Sequence, residues 1–154
     1  MIHRETNPAP APPLSFEMVS QPRYLSAVRA MIHSVAQRLG FNEAGANQIS
    51  LAVDEALCNV INHGYQRRED GRIRVSVWPI DNIAGVRIVI DDDAPQVDLA
   101  TIHSRDLDDV RPGGLGVHII REVMDEVIYT HRPEGGMRLE LIKHIEGQQE
   151  DDNA

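Results

Sequence analysis

Between Ile49 and Tyr65 the chain reads ISLAVDEALCNVINHGY, and Ala52, Val53, Ala56, Leu57, Val60 and Ile61 recur at helical spacing. The same stretch carries Glu55, Asn59 and His63 four residues apart. Each such step turns an α-helix by about 40° beyond a full turn, so the spacing predicts a slowly winding polar stripe beside an apolar arc. A carboxylate, an amide and an imidazole in that position are either solvated edge residues or groups aimed into a cleft. Asn42 is placed to cap this helix, with Glu43 in its first turn. Upstream, Leu25, Val28, Met31, Ile32, Val35 and Leu39 predict another helix, opened by Pro22, capped by Ser20 and closed by Gly40. His33 within it reads as an ordinary helix residue, because the segment after it lacks the acidic neighbour and later proline of a phospho-accepting histidine.

Period-two alternation predicts strands over 14–19, 72–78, 83–90, 127–131 and 137–145, with turns at 79–82 and 133–136. A short helix is expected over 117–124, and the charged stretch 101–112 reads as a mobile loop with one short helical turn. The order is β-α-α-β-β-loop-α-β-β. Short links between successive strands imply a mixed, mostly antiparallel sheet with helices on one face, a two-layer α/β sandwich. Residues 14–145 form one domain in this reading, between a disordered Ala/Pro-rich tail (1–13) and an acidic disordered tail (146–154).

Composition narrows the picture. The chain has 154 residues, 42% hydrophobic but only 4% aromatic, so the core must be aliphatic. Its 24 acidic against 15 basic residues give a net charge of −9, which argues against a nucleic-acid partner. Lys143 is the sole lysine; the other cations are arginines. The lone cysteine, Cys58, excludes a disulfide framework within one chain and reads as a small buried filler. No apolar run reaches the length of a membrane span and no signal-peptide core is visible, so a soluble, cytoplasmic protein is expected.

Two further segments could carry chemistry. Gly113, Gly114 and Gly116 precede the short helix, where backbone N–H groups can close around phosphate; glycines there can equally be structural. A P-loop is excluded because GxxxxGK[ST] is missing, and a dinucleotide fingerprint because no βαβ unit surrounds the glycines. The run Asp91-Asp92-Asp93 could bind a hard cation, end a strand in solvent, or place one carboxylate in a pocket to accept from a ligand amino group. The scattered histidines lack zinc-ligand spacing.

Taken together, Glu55-x3-Asn59-x3-His63, then Asp92-x-Ala94, then Gly113-Gly114-Leu115-Gly116 resemble the N, G1 and G2 boxes of the GHKL (Bergerat-fold) ATP-binding superfamily. The phrases EALCNVINHGY and GGLGVHIIREVMDEVIY are similar to the anti-sigma-factor serine kinases of the RsbW and SpoIIAB type, and the resemblance spans about residues 16–143. It implies a Bergerat fold and a Mg²⁺- and ATP-dependent serine/threonine kinase. By the same resemblance, Asn59 is the Mg²⁺ ligand, Glu55 the group that orients or deprotonates the attacking hydroxyl, and His63 a supporter of the phosphate end. Asp92 is the acceptor for the adenine amino group. The stretch 101–112 is an ATP lid in which Arg105 and Arg111 are phosphate contacts, and Gly113, Gly114, Leu115 and Gly116 line the nucleotide. The stretches 130–131 and 138–141 are implied to be sheet rather than site. Ala94 departs from the family, which has glycine there; its methyl group would narrow the adenine pocket, although Pro95-Gln96-Val97-Asp98 keeps the family's shape. The implied partners are a STAS-domain anti-anti-sigma antagonist as substrate, a sigma factor or other effector to be sequestered, and a second copy in a homodimer, with no nucleic acid and no membrane. Two other readings remain at this point: a non-catalytic ATP-binding module that sequesters a partner, favoured only by Ala94, and a histidine-kinase catalytic fragment.

Overall fold

An aliphatic chain with five alternating segments and two long amphipathic ones has one economical solution: the apolar faces of the helices cover one face of a sheet. The computed structural model describes residues 10–80, 84–102 and 115–146, with 115–117 as backbone only. Five strands, β1 (Leu14–Val19), β2 (Arg72–Ile80), β3 (Gly85–Asp92), β4 (Glu126–His131) and β5 (Met137–His144), form a sheet in the order β1-β2-β3-β5-β4. All four pairings are antiparallel, the limiting case of the mostly antiparallel sheet expected. Helices α1 (Leu25–Arg38), α2 (Glu43–Asn59) and α3 (Leu115–Val123) complete the second layer. The core lies between the layers: Val28 and Ile32 from α1, Ile49, Val53 and Leu57 from α2, and Ile73, Val75, Ile88, Ile90 and Leu141 from the sheet.

Local chemistry explains most element boundaries. Asn42 caps α2 as expected, its side chain accepting from the Gly45 N–H at 2.8 Å. Ser20 does not cap the first helix. Its hydroxyl donates to the Arg68 carbonyl and accepts from the Gly71 N–H at 2.9 Å, which ties the end of β1 to the loop before β2. A 3₁₀ turn, Pro22–Tyr24, leads into α1 instead. Strand β2 runs through Pro79, where a turn was expected. Pairing with β1 stops at Leu14 opposite Val77, so beyond that point β2 has a neighbour on one side only and proline forfeits no bond to β1. Strand β3 extends to Asp92, and α3 begins at Leu115 rather than Val117. The expected mobile loop lies mostly outside the described residues; Thr101 and Ile102 close a helical turn over 99–102.

The open face of the sheet carries charged residues in register, beside Trp78, Val89, Ile128 and Ile142. Glu17, Arg74, Asp91 and Arg138 stand opposite one another on β1, β2, β3 and β5, in alternating charge. Arg74 reaches Glu17 at 2.6 Å, and Arg138 grips Asp91 with two bonds of 2.7 and 2.8 Å. Lys143 points to the helical side and donates to the Val123 carbonyl at the end of α3, 2.7 Å away.

The β4–β5 hairpin contains two glycines with left-handed backbone, and only one of them is confined. A side chain on Gly135 (φ 107°) would meet nothing, whereas a Cβ on Gly136 (φ 82°) would fall 1.9 Å from the Asp92 carbonyl oxygen. Gly135→Ala should therefore cost only the left-handed penalty, about 1–2 kcal/mol. Gly136→Ala should lower the melting temperature far more or prevent soluble expression; equal melting temperatures for the two variants would contradict the packing described.

Candidate functional site

Helix α2 ends in an irregular turn. After Asn59 the backbone widens into a π turn, Val60–Gly64, closed by the Tyr65 N–H bonding the Val60 carbonyl at 2.8 Å. Such turns break the regular winding of an α-helix, so the uninterrupted polar stripe expected from Glu55 through His63 holds only for its first step. Glu55 and Asn59 sit half-buried on the last turns of α2. The Asn59 side-chain nitrogen is buried with no hydrogen-bond partner among the described residues. An amide left unsatisfied in an apolar helix layer carries a cost of about 1–3 kcal/mol. The Glu55 carboxylate likewise has no partner among the described residues. His63 lies on the π turn with its side chain exposed and makes no hydrogen bond to a described residue.

The π turn rests on the end of β3. A Cβ on Gly64 would come within 3.2 Å of the Ala94 methyl, and the Tyr65 hydroxyl accepts from the Asp93 N–H at 2.8 Å. The same hydroxyl donates to the Arg72 carbonyl, and the Tyr65 ring lies flat over Gly71, where a Cβ would be 2.6 Å away. Burial holds the Tyr65 phenol above its ordinary value, so it stays a donor. Ala94 is itself buried in the core cluster, so its methyl group is absorbed between helix and strand.

Strand alternation separates the three aspartates. Asp91 faces the open side and pairs with Arg138. Asp93 is exposed. Asp92 faces the helical layer and is only 5% exposed. Its Oδ1 accepts from the Ala94 N–H at 2.9 Å and the Met137 N–H at 3.2 Å. No described residue donates to its Oδ2. Burial pushes the Asp92 carboxyl above its usual range, and the two N–H donors and Arg132 oppose that rise. Cys58, near Asp54 and Glu55, is also raised by burial and by those charges, which keeps it a thiol and a poor nucleophile.

The structure thus places Glu55 and Asn59 on the last turns of α2 and seats the π turn that follows them against Ala94 and Asp93 beside Asp92. Arg105, Arg111, Gly113 and Gly114 lie outside the described residues. Leu115 and Gly116 form the first turn of α3, which packs against α2. Among the described residues no group of three or more His, Cys, Asp and Glu could hold a metal. The donor set suits a hard cation bound through one amide oxygen and a ligand's own oxygens, which is how Mg²⁺ is commonly held; the Asn59 amide oxygen, which no described residue engages, could serve, while its orphaned nitrogen is a donor and plays no part in holding a cation.

Several residues around Asp92 escaped the sequence reading. The stretches 130–131 and 138–141 are sheet as expected, but the turn between them is not remote. Arg132 donates to the Asp92 carbonyl at 2.6 Å, Gly136 packs on that same carbonyl, and Gln96 donates to the Arg132 and Gly136 carbonyls at 2.9 and 3.1 Å. The pair Gly135-Gly136 was the visible signal, read only as a hairpin turn.

Residues 18–143 match the family profile described as the histidine kinase-like ATPase domain. The serine-protein kinase RsbW of Listeria monocytogenes serovar 1/2a is 28% identical over 149 residues, covering 92% of each chain. RsbW of Bacillus subtilis strain 168 is 26% identical over 145 residues, covering 90% of this chain and 89% of its own. In three dimensions the chain is similar to the structure of the RsbU and RsbW domains of Rv1364c from Mycobacterium tuberculosis. The TM-score is 0.57 at 20% identity, over 88% of this chain and 32% of that longer one. It is also similar to the mycobacterial sensor histidine kinase MprB, with a TM-score of 0.50 at 16% identity over 85% of this chain. The resemblance carried by the three boxes is borne out: this chain belongs to the histidine kinase-like ATPase family, and its near-full-length relatives are serine-protein kinases.

Proposed function

We propose that this chain, an ATP-dependent serine/threonine kinase, phosphorylates a STAS-domain antagonist and otherwise sequesters a sigma factor or another effector, working as a homodimer in the cytoplasm. The observation that carries the reading is the position on α2, one turn apart, of Asn59, whose amide oxygen no described residue engages, and Glu55, whose carboxylate none engages either. The RsbW relatives support the kinase and partner-switching parts of it.

In this reading Asn59 holds Mg²⁺ through its amide oxygen. The metal supplies charge neutralisation on the phosphates when bound. Asp92 accepts from the adenine amino group through Oδ2, its other oxygen being occupied by main-chain N–H groups. Glu55 orients the antagonist's hydroxyl and takes its proton as the oxygen becomes phosphorylated. Positioning of this kind is most of what phosphoryl transfer asks of a protein. His63 is the least supported member, since its exposed side chain engages no described residue. The lid role of 101–112 and the phosphate contacts of Arg105, Gly113, Gly114, Leu115 and Gly116 complete the proposal by resemblance. The non-catalytic alternative rests on Ala94, whose methyl group lies beside Gly64.

Glu55→Gln should bind ATP and partners like the wild type and transfer phosphate about 10²–10⁴-fold more slowly. Near-normal transfer to the cognate antagonist in a radiolabel assay would remove Glu55 from its role. Asp92→Asn gives a second measurement, in which stability and binding should move in opposite directions. Burial raises the Asp92 carboxyl, so its ionised form costs folded-state stability above that raised value, and protonation relieves the cost. The ligand-free variant should melt at or above the wild type near neutral pH. Its advantage should shrink as pH falls through the raised value and vanish below the ordinary carboxyl value of 3.8. Its ATP affinity should meanwhile fall by about tenfold or more, because an acceptor has become a donor; calorimetry showing unchanged affinity would defeat the assignment.

A further inference from the structure

We propose that Arg132 is a positioning residue for Asp92 and thereby sets the preference of the site for adenine. The inference rests on the reading of Asp92 as the adenine acceptor.

The Arg132 side chain is only 15% exposed and spans the whole acidic run. Its Nη1 donates to the Asp92 main-chain carbonyl at 2.6 Å and to the Asp93 carboxylate at 2.7 Å. Its Nε lies 4.0 Å from Asp91 Oδ1, and its Nη2 3.5 Å from Glu134. One guanidinium therefore fixes the main chain of the residue whose carboxylate faces the interlayer space. A planar fork with several donors can hold two acceptors at once; a point-charge ammonium does so less well.

Arg132 is itself held. Its carbonyl accepts from Gln96 at 2.9 Å and from the Gly135 N–H at 3.0 Å, and its N–H donates to the Gly136 carbonyl at 3.0 Å. His131 bonds the Val97 carbonyl at 2.7 Å. The hairpin and the segment after Asp92 thus grip each other in both directions. The Met137 N–H that bonds Asp92 Oδ1 comes from the same hairpin. Any shift of the hairpin moves the carbonyl and the carboxylate of Asp92 together.

Alignment matters because a hydrogen bond weakens steeply once it leaves its line. Adenine offers an amino donor where guanine carries a carbonyl acceptor. Turning Asp92 away from its line therefore weakens ATP and costs GTP nothing, since a carboxylate facing the guanine carbonyl sets acceptor against acceptor.

The test is a double-mutant cycle on the full chain. ATP and GTP affinities are measured by calorimetry for wild type, Arg132→Met, Asp92→Asn and the double variant. Arg132→Met should weaken ATP about tenfold in the wild-type background and about twofold or less beside Asp92→Asn. GTP affinity should not fall, so the ATP-over-GTP ratio falls. An equal loss in both backgrounds, an equal loss for both nucleotides, or no loss at all overturns the positioning role, since a generally loosened domain would treat both nucleotides alike. Asp92→Asn binding ATP as tightly as wild type would show that the adenine reading itself has failed, and the proposal with it. If melting curves show Arg132→Met unfolded, Arg132→Lys passes through the same cycle. It keeps the charge but not the fork, and the same background-dependent loss is expected.

Discussion

A carboxylate removed from water at the end of a strand is the constraint around which this molecule is arranged. Burying such a group without partners is costly enough that proteins neutralise it or surround it with donors. Asp92 is surrounded. Two main-chain N–H groups meet one of its oxygens, and a guanidinium holds its carbonyl from behind. The segments that supply these groups, the β4–β5 hairpin and the turn after β3, have little reason to meet otherwise. Gly136 lets the hairpin come close enough, and Gly64 lets the end of α2 close over Ala94. The segment after β3 and the hairpin fix one oxygen of Asp92, and no described residue donates to the other.

The helix side of the site shows the complementary condition. Most polar groups in an interior are paired, yet Asn59 keeps a buried nitrogen without a partner among the described residues, one turn from the half-buried Glu55, whose carboxylate no described residue engages. The π turn immediately follows Asn59, and irregular turns of this type are frequent at functional sites. Stability given up in so small a region is what a binding surface requires, because groups already satisfied by the protein have nothing left for a ligand.

Much of this was legible in the residues. Alternation located all five strands, because one face of the sheet is apolar and the other charged: Ile73, Val75 and Val77 face the core while Arg72 and Arg74 face out. Box spacing singled out Glu55, Asn59 and Asp92 as candidates. The misses have physical causes. Ser20 looks like a cap, but a hydroxyl serves whichever backbone groups the tertiary structure delivers, here from residues nearly fifty positions away. Pro79 looks like a turn, and only the early end of β1 makes it compatible with a strand. A π turn needs one unusual carbonyl choice, which no residue type announces. Arg132 looked like the edge of a turn because its partners are set by sheet order, which brings β5 beside β3, and sheet order is not written in local pattern.

The single lysine carries a separate consequence. Lys143 is committed to the Val123 carbonyl at the end of α3, and every other basic side chain is an arginine. Acylation, which neutralises amines and leaves guanidinium groups alone, therefore has no purchase on the charge ladder across the open sheet. The one side-chain amine on which it can act is at a helix end, where it would remove a structural donor rather than retune a surface.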